Sequence, residues 1–204
     1  MKLLGIPVLL KAAAAAAVAA AAGLLLTAAD SAGTTPERGG AIVLFVADDL
    51  GWNDVGWKNS ALHTPTLDAL RDESVELADY YVQQVCSPTR ASLLSGRFPH
   101  HLGVSGVIHA SEPTGVPLDV PMVSNALADS GAWDTHLLGK WHVGMFRPEL
   151  LPINRGFSSA FGYLCGSTSY WNHGNTEPCP GSGGTTQQVF ALDLTNGSAP
   201  ATWV

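Results

Sequence analysis

Residues 85–97 read VCSPTRASLLSGR and set a thiol, a proline and an arginine within a short stretch of the chain. Pro88 has no N–H and favours a first helical turn, and Gly96 favours a stop. The spacing therefore predicts a short helix over SPTRASLLSG, with Cys86 just before its N-terminus. Unpaired backbone N–H groups and the helix dipole favour an anion at such a place. Arg90, four residues on, can lean back towards residue 86. A thiolate would suit that field, but a thiol protease gives the arginine no role. Asp48 and Asp49 end the apolar run AIVLFVADDLG, where Gly51 permits a bend. Two hard carboxylates outside the carboxyl end of a strand suit Ca²⁺ or Mg²⁺ better than zinc, the plain alternative being a helix cap with a solvated neighbour. Lys140 and His142 in LGKWH are two apart, so on a strand they face one side and present an ammonium beside an imidazole.

The surrounding elements must hold these groups. Residues 41–47 read as a buried strand of a parallel sheet. HTPTLDALRDESV reads as a helix capped by Thr64 with Pro65 first, and VELADYYVQ as a strand. PMVSNALADSG is a further helix ended by Gly131, and WDTHLLGKWH a strand after it. This alternation predicts an α/β fold with a mostly parallel sheet flanked by helices. The residues from 174 to 204, rich in Gly, Ser and Thr, read as an irregular tail.

Composition bounds the rest. The 204 residues suffice for one domain. Lys2 and Lys11 flank the start of an alanine-rich apolar run ending at Thr27-Ala28-Ala29, which reads as a signal peptide over 1–29 or a membrane anchor. Residues 30–40 are a linker. The expected location is the secretory pathway, then the exterior or a lysosome-like compartment. The formal charge is −7, and losing both lysines lowers it by two more. Nucleic acid is a poor partner for such a chain, and an anionic substrate needs a local cationic pocket. Three cysteines cannot all pair internally. Cys165 and Cys179 are the disulfide candidates, and Cys86 is then the odd thiol. Asn196-Gly197-Ser198 is a glycosylation sequon. His100 and His101 suit a surface rim, His173 a structural or substrate contact, and Trp52 and Trp57 packing.

Cys86-Ser87-Pro88-Thr89-Arg90, with Leu94-Ser95-Gly96-Arg97, resembles the C-x-P-x-R signature of the type I sulfatases, which have an alkaline-phosphatase-like fold. ADDLGWNDVG (47–56), HTPTLDAL (63–70), LGKWHVGM (138–145) and RGFSSAFGYLCGSTSYWNH (155–173) follow in the family's order. The resemblance thus covers 41–173. Its last two stretches look most like the arylsulfatase B branch, whose best-known member acts on N-acetylgalactosamine 4-sulfate. It implies that a formylglycine-generating enzyme converts Cys86 to Cα-formylglycine. One hydroxyl of the hydrated aldehyde, polarised by Ca²⁺, would attack the sulfur of a sulfate ester, and the second would allow sulfate to leave. The resemblance further implies Asp48, Asp49 and residue 86 as calcium ligands, Arg90 holding the hydrate, Lys140 on a sulfate oxygen and His142 on the hydrate.

Formylglycine-dependent phosphonate and phosphodiester hydrolases share this signature, and a non-catalytic protein binding sulfated glycans is a third reading. The family's later Asp-Asn calcium pair, second histidine and second lysine have no counterpart. After His142 the chain has no lysine, and His173 is its one further histidine. The expectation is the N-terminal part of a sulfatase with the C-terminal part missing, hydrolysing little by itself.

Overall fold

The computed structural model describes residues 40–180 and 186–201, and the chain divides into two compact units after Val82. The expected signal segment 1–29 lies outside the described residues, as does the linker up to residue 39.

In the first unit, helix α1 (Pro65–Asp72) starts where the sequence predicts, after Thr64. The Thr64 carbonyl accepts the Asp68 N–H at 2.9 Å. Its hydroxyl accepts the Gly56 N–H at 2.7 Å and donates to the Asp68 carboxylate at 2.9 Å. The cap residue thus ties the helix to the preceding turn, which wraps around fully buried Val55. Trp52 and Trp57 lie beneath the charged ends of Lys58 and Arg71, at 4.2 and 5.6 Å from the ring centres.

The expected strands at 41–47 and 75–83 are corrected. Neither forms a named strand among the described residues. Ile42, Val43, Leu44 and Phe45 are half or more exposed, as is Tyr81. β-Propensity records a fit to neighbouring strands, and a strand's N–H and C=O groups need a ladder to pair with. No described segment supplies one here.

In the second unit, helix α2 (Cys86–Ser95) carries the 85–97 stretch and ends at Gly96, whose φ of 67° is left-handed. It packs near a 3₁₀ turn at Pro99–Leu102 and helix α3 (Val123–Asp129). Strand β1 (His136–Lys140) runs parallel to β2 (Ser159–Tyr163), with Gly139 opposite Gly162. Both glycines have positive φ, and a side chain at 162 would strike the Gly139 backbone, so this pair sets how closely the strands approach.

The described residues after 173 are mostly strand rather than an irregular tail. β3 (Gly174–Pro180) and β4 (Thr186–Leu192) form an antiparallel hairpin. β5 (Thr195–Asn196) pairs antiparallel with β2, and β6 (Ala199–Pro200) with β5. The fold is α/β, but the sheet β1-β2-β5-β6 is mixed rather than mostly parallel.

The core gathers Ala91 of α2, Leu102, Val104 and Ile108 after it, Val116, Val120 and Met122 before α3, and Trp141 and Val143 beyond β1. Burial of these side chains is worth about 1.5–3 kcal/mol for each large one. The Trp141 indole N–H donates to the Gly144 and Leu150 carbonyls at 2.9 and 3.1 Å, and its ring meets Phe157 edge-on. The segment leaving β1 is therefore rigid where LGKWHVGM continues.

Candidate active site

Cys86 is the first residue of α2, not the residue before it. Pro88 falls at the third helical position, where its missing N–H costs no helical bond. The N-cap is Val85, which offers no side-chain cap. The N–H groups of the first turn thus face an anion-favouring end at a half-buried thiol. Thr89 pins the entry, donating from its hydroxyl to the Val85 carbonyl at 2.8 Å.

Arg90 extends away from its own helix as well. Its Nη1 donates to the Lys140 carbonyl, 50 residues on, at 2.6 Å. This charge-assisted bond fastens α2 to the last residue of β1. Lys140 is 8% exposed and His142 1%. The strand-alternation argument that put them on one side does not hold. β1 ends at Lys140, and His142 has a φ of 60°. The chain bends into a left-handed conformation there, a cost of order 1–3 kcal/mol that functional sites often bear.

The backbone of one residue, Ile108, joins the two motifs. The Ile108 N–H donates to Ser87 Oγ at 3.0 Å, and Ile108 O lies 3.0 Å from His142 Nε2. A carbonyl can only accept, so Nε2 carries the hydrogen. In the neutral ring the basic lone pair is then on Nδ1, which fixes the atom through which His142 can take up a proton.

Three residues without an assigned role in the sequence reading hold this cluster. Gly166 lies against the imidazole, and a methyl group there would come within 2.9 Å of Cε1. Asp193 is 6% exposed, and its two oxygens accept the Leu164 and Cys165 N–H groups at 2.9 and 3.0 Å. Burial pushes its carboxyl above the usual aspartate value, while those two N–H bonds pull it back. Arg155, 3% exposed, donates to the Val116, Pro117 and Val120 carbonyls, and Val116 N–H in turn meets the Val143 carbonyl at 2.9 Å. Burial lowers the Arg155 pKa, and Asp119 opposes the shift.

The expected Cys165–Cys179 disulfide is absent; both are free thiols. Cys165 is buried with Sγ 3.4 Å from Met145 Sδ, while Cys179 stands in the β3 ladder opposite Gln187. Burial first, then Asp193, pushes the Cys165 thiol up to about 12. Asn196 is exposed in β5 rather than in a loose tail. His100 and His101 are exposed around Phe98, as a rim position implies. His173 has a φ of 52° and donates its N–H to the Ser169 carbonyl. A cleft of about 840 Å³ lined by Asp119, Asp129, Glu149 and Arg155 shares none of the expected site residues, and its acidic lining suits no anion.

Asp48 and Asp49 belong to the first unit. Both are exposed at a turn, and Asp49 has a φ of 58°. Their oxygens fit a hard divalent cation in kind but not in number, since calcium takes ~6–8 oxygens. No group of three or more His, Cys, Asp or Glu among the described residues is arranged to hold a metal.

The sulfatase family model matches residues 41–198, most of the chain and 25 residues beyond the stretch recognisable by motif. The chain belongs to the sulfatase family. It is 40% identical over 133 residues to mouse arylsulfatase J, covering 65% of this chain and 22% of that protein. With human arylsulfatase A it shares 40% over 126 residues, 59% and 24% of the two. Among solved structures, Ps i-CgsB superposes with a TM-score of 0.59 at 37% identity, over 63% of this chain and 29% of that one. The PsFucS1 sulfatase from Pseudoalteromonas sp. gives 0.52 at 32%, over 61% and 25%. The chain thus spans between a fifth and a third of the length of these relatives.

Proposed function

We propose that this chain carries the nucleophile-bearing part of an enzyme that hydrolyses sulfate esters, with sulfated glycans as the substrate class. The observation that carries the reading is the common support of Cys86, Lys140 and His142. Arg90 ties α2 to Lys140, and Ser87 and His142 hold the backbone N–H and C=O of Ile108 between them. Identity to arylsulfatases supports the reaction class. The choice of a glycan is supported by Ps i-CgsB, a structure of which is a complex with k-i-k-neocarrahexaose.

In this reading residue 86 is a formylglycine made by a formylglycine-generating enzyme, and its hydrate supplies a nucleophilic hydroxyl together with a second that permits release. Asp48 and Asp49 would contribute two of the carboxylate oxygens of a Ca²⁺ site, and that ion would supply positive charge. The uncapped first turn of α2 favours negative charge beside residue 86. Lys140 binds a sulfate oxygen through its ammonium. His142, its Nε2–H committed to Ile108, takes a proton at Nδ1. Arg90 keeps α2 and the end of β1 in register while charge moves between them. Passage through the secretory pathway and a glycan on Asn196 belong to the same proposal.

The test is the mass of the residue-86 peptide from material secreted by cells that contain the modifying enzyme. An aldehyde is expected at residue 86. An unconverted thiol in all of the secreted protein refutes the reading.

A further inference from the structure

A hydrogen-bonded corner beside His142 is built by an acid that no motif contains. β4 ends at Leu192 and β5 begins at Thr195, so the short connection between them delivers Asp193 over the exit of β2. Asp193 is itself fixed, its N–H donating to the His173 carbonyl at 2.8 Å. Its carboxylate then accepts two successive backbone N–H groups, Leu164 to Oδ1 and Cys165 to Oδ2. Those residues touch His142 in two separate ways. The Leu164 carbonyl accepts the His142 N–H at 3.0 Å, which holds the left-handed backbone of the histidine. Gly166, next after Cys165, lies on the imidazole so closely that even a methyl group would displace the ring. The ring is also held by Ile108 O at Nε2.

We propose that Asp193 is a positioning residue for His142: its bidentate grip on Leu164 and Cys165 sets both the backbone and the ring plane of the histidine. The inference deepens the function proposed above and rests on it for its catalytic meaning, although the positioning can be read without turnover. The chemistry requires a carboxylate. A buried pair of parallel N–H donors is matched by two acceptor oxygens, whereas an asparagine offers one oxygen and turns an NH₂ against the second donor. A glutamate keeps both oxygens but carries them one methylene further into a packed corner.

The experiment uses the full chain labelled with ¹⁵N and follows the His142 ring nitrogens and the backbone amides by NMR. In the wild type, His142 gives a slowly exchanging Nε2–H signal. In Asp193→Asn, the Leu164 and Cys165 amides lose protection by about tenfold or more, and the His142 Nε2–H exchanges faster by a similar factor, while the amides of α2 keep theirs. Gly166→Ala is the second variant. It leaves the Asp193 bonds in place and moves the ring directly, so the His142 signal shifts while Leu164 and Cys165 stay protected. The proposal is overturned if Asp193→Asn deprotects Leu164 and Cys165 but leaves the His142 ring signals unchanged. It is equally overturned if Gly166→Ala leaves them unchanged, a result that stands even where Asp193→Asn does not fold. Coupling that holds in both variants, beside a residue 86 that stays a thiol in secreted material, supports the positioning and refutes the catalytic reading alone.

Discussion

Replacing Arg155 tests whether the second unit depends on one buried cation. The guanidinium makes bonds of 2.8–3.3 Å to three carbonyls, those of Val116, Pro117 and Val120. Val116 is fully buried and Val120 nearly so. Arg155→Ala removes the guanidinium from the Val116 and Val120 carbonyls, while Pro117 O keeps the Val120 N–H, and it opens a void in place of the side chain. Each unsatisfied buried group costs about 1–3 kcal/mol, and losing a buried charged hub costs about 3–5 kcal/mol in all. That is a large share of the roughly 5–15 kcal/mol that holds a domain together. With a urea slope of about 1–3 kcal/mol/M, the unfolding midpoint should fall by about 2 M. Arg155→Lys keeps the charge but not the planar fork that spans three carbonyls, and should recover only part of the loss. Urea titrations followed by tryptophan fluorescence measure all three proteins. An Arg155→Ala midpoint within about 0.3 M of the wild type would refute the reasoning.

The Cys165 thiol, held at about 12 against an ordinary 9.0, makes stability depend on alkaline pH. The unfolded chain releases this proton first, so the contribution is whole below 9.0 and is lost as pH rises towards 12. Between pH 9 and 10 the loss is about 1 kcal/mol. Cys165→Ser should flatten that slope in urea titrations taken at each pH, and an unchanged slope would assign it elsewhere. In protein made without the modifying enzyme, native alkylation followed by mass spectrometry should label half-buried Cys86 and Cys179 well before Cys165. Gly162→Ala drives a Cβ into the Gly139 backbone at a φ of 155° and should cost about 3 kcal/mol or more, lowering the thermal midpoint by circular dichroism. A midpoint unchanged by that substitution would mean that the two strands can separate freely.

Local signals were legible in the residues. Thr64-Pro65 and Gly96 mark the ends of α1 and α2, and Gly131 the end of α3, because caps and stops act within a few residues. β1 was legible too. The runs at 41–47 and 75–83 misled because an apolar stretch becomes a strand only through partners, which lie elsewhere in the chain. The β3–β4 hairpin was hidden by its prolines and small polar residues, which mimic a loop. Lys140 and His142 are two apart, but the period of two fails at a residue with positive φ. Arg155 and Asp193 carried no signal because their bonds reach back 28 to 39 residues to carbonyl and N–H groups, which every residue has. The pairing of Cys165 with Cys179 failed for a related reason: closeness in sequence does not set the direction of a side chain.

The burial pattern of α2 fixes an order of events. Ser87 and Ala91 are fully enclosed and Pro88 is buried, while Cys86 remains half exposed. Once α2 has packed, the Ser87 hydroxyl belongs to Ile108, and the proline ring faces the interior. An enzyme that reads the side chains of CSPTR can do so only while this segment is still unfolded. Under the proposed conversion of Cys86, the same residues would serve as a label on the nascent chain and later as part of its interior. Under that proposal the speed at which α2 docks would set the time available for reading them, and a substitution that hastens docking would lower the yield of modified protein without touching Cys86.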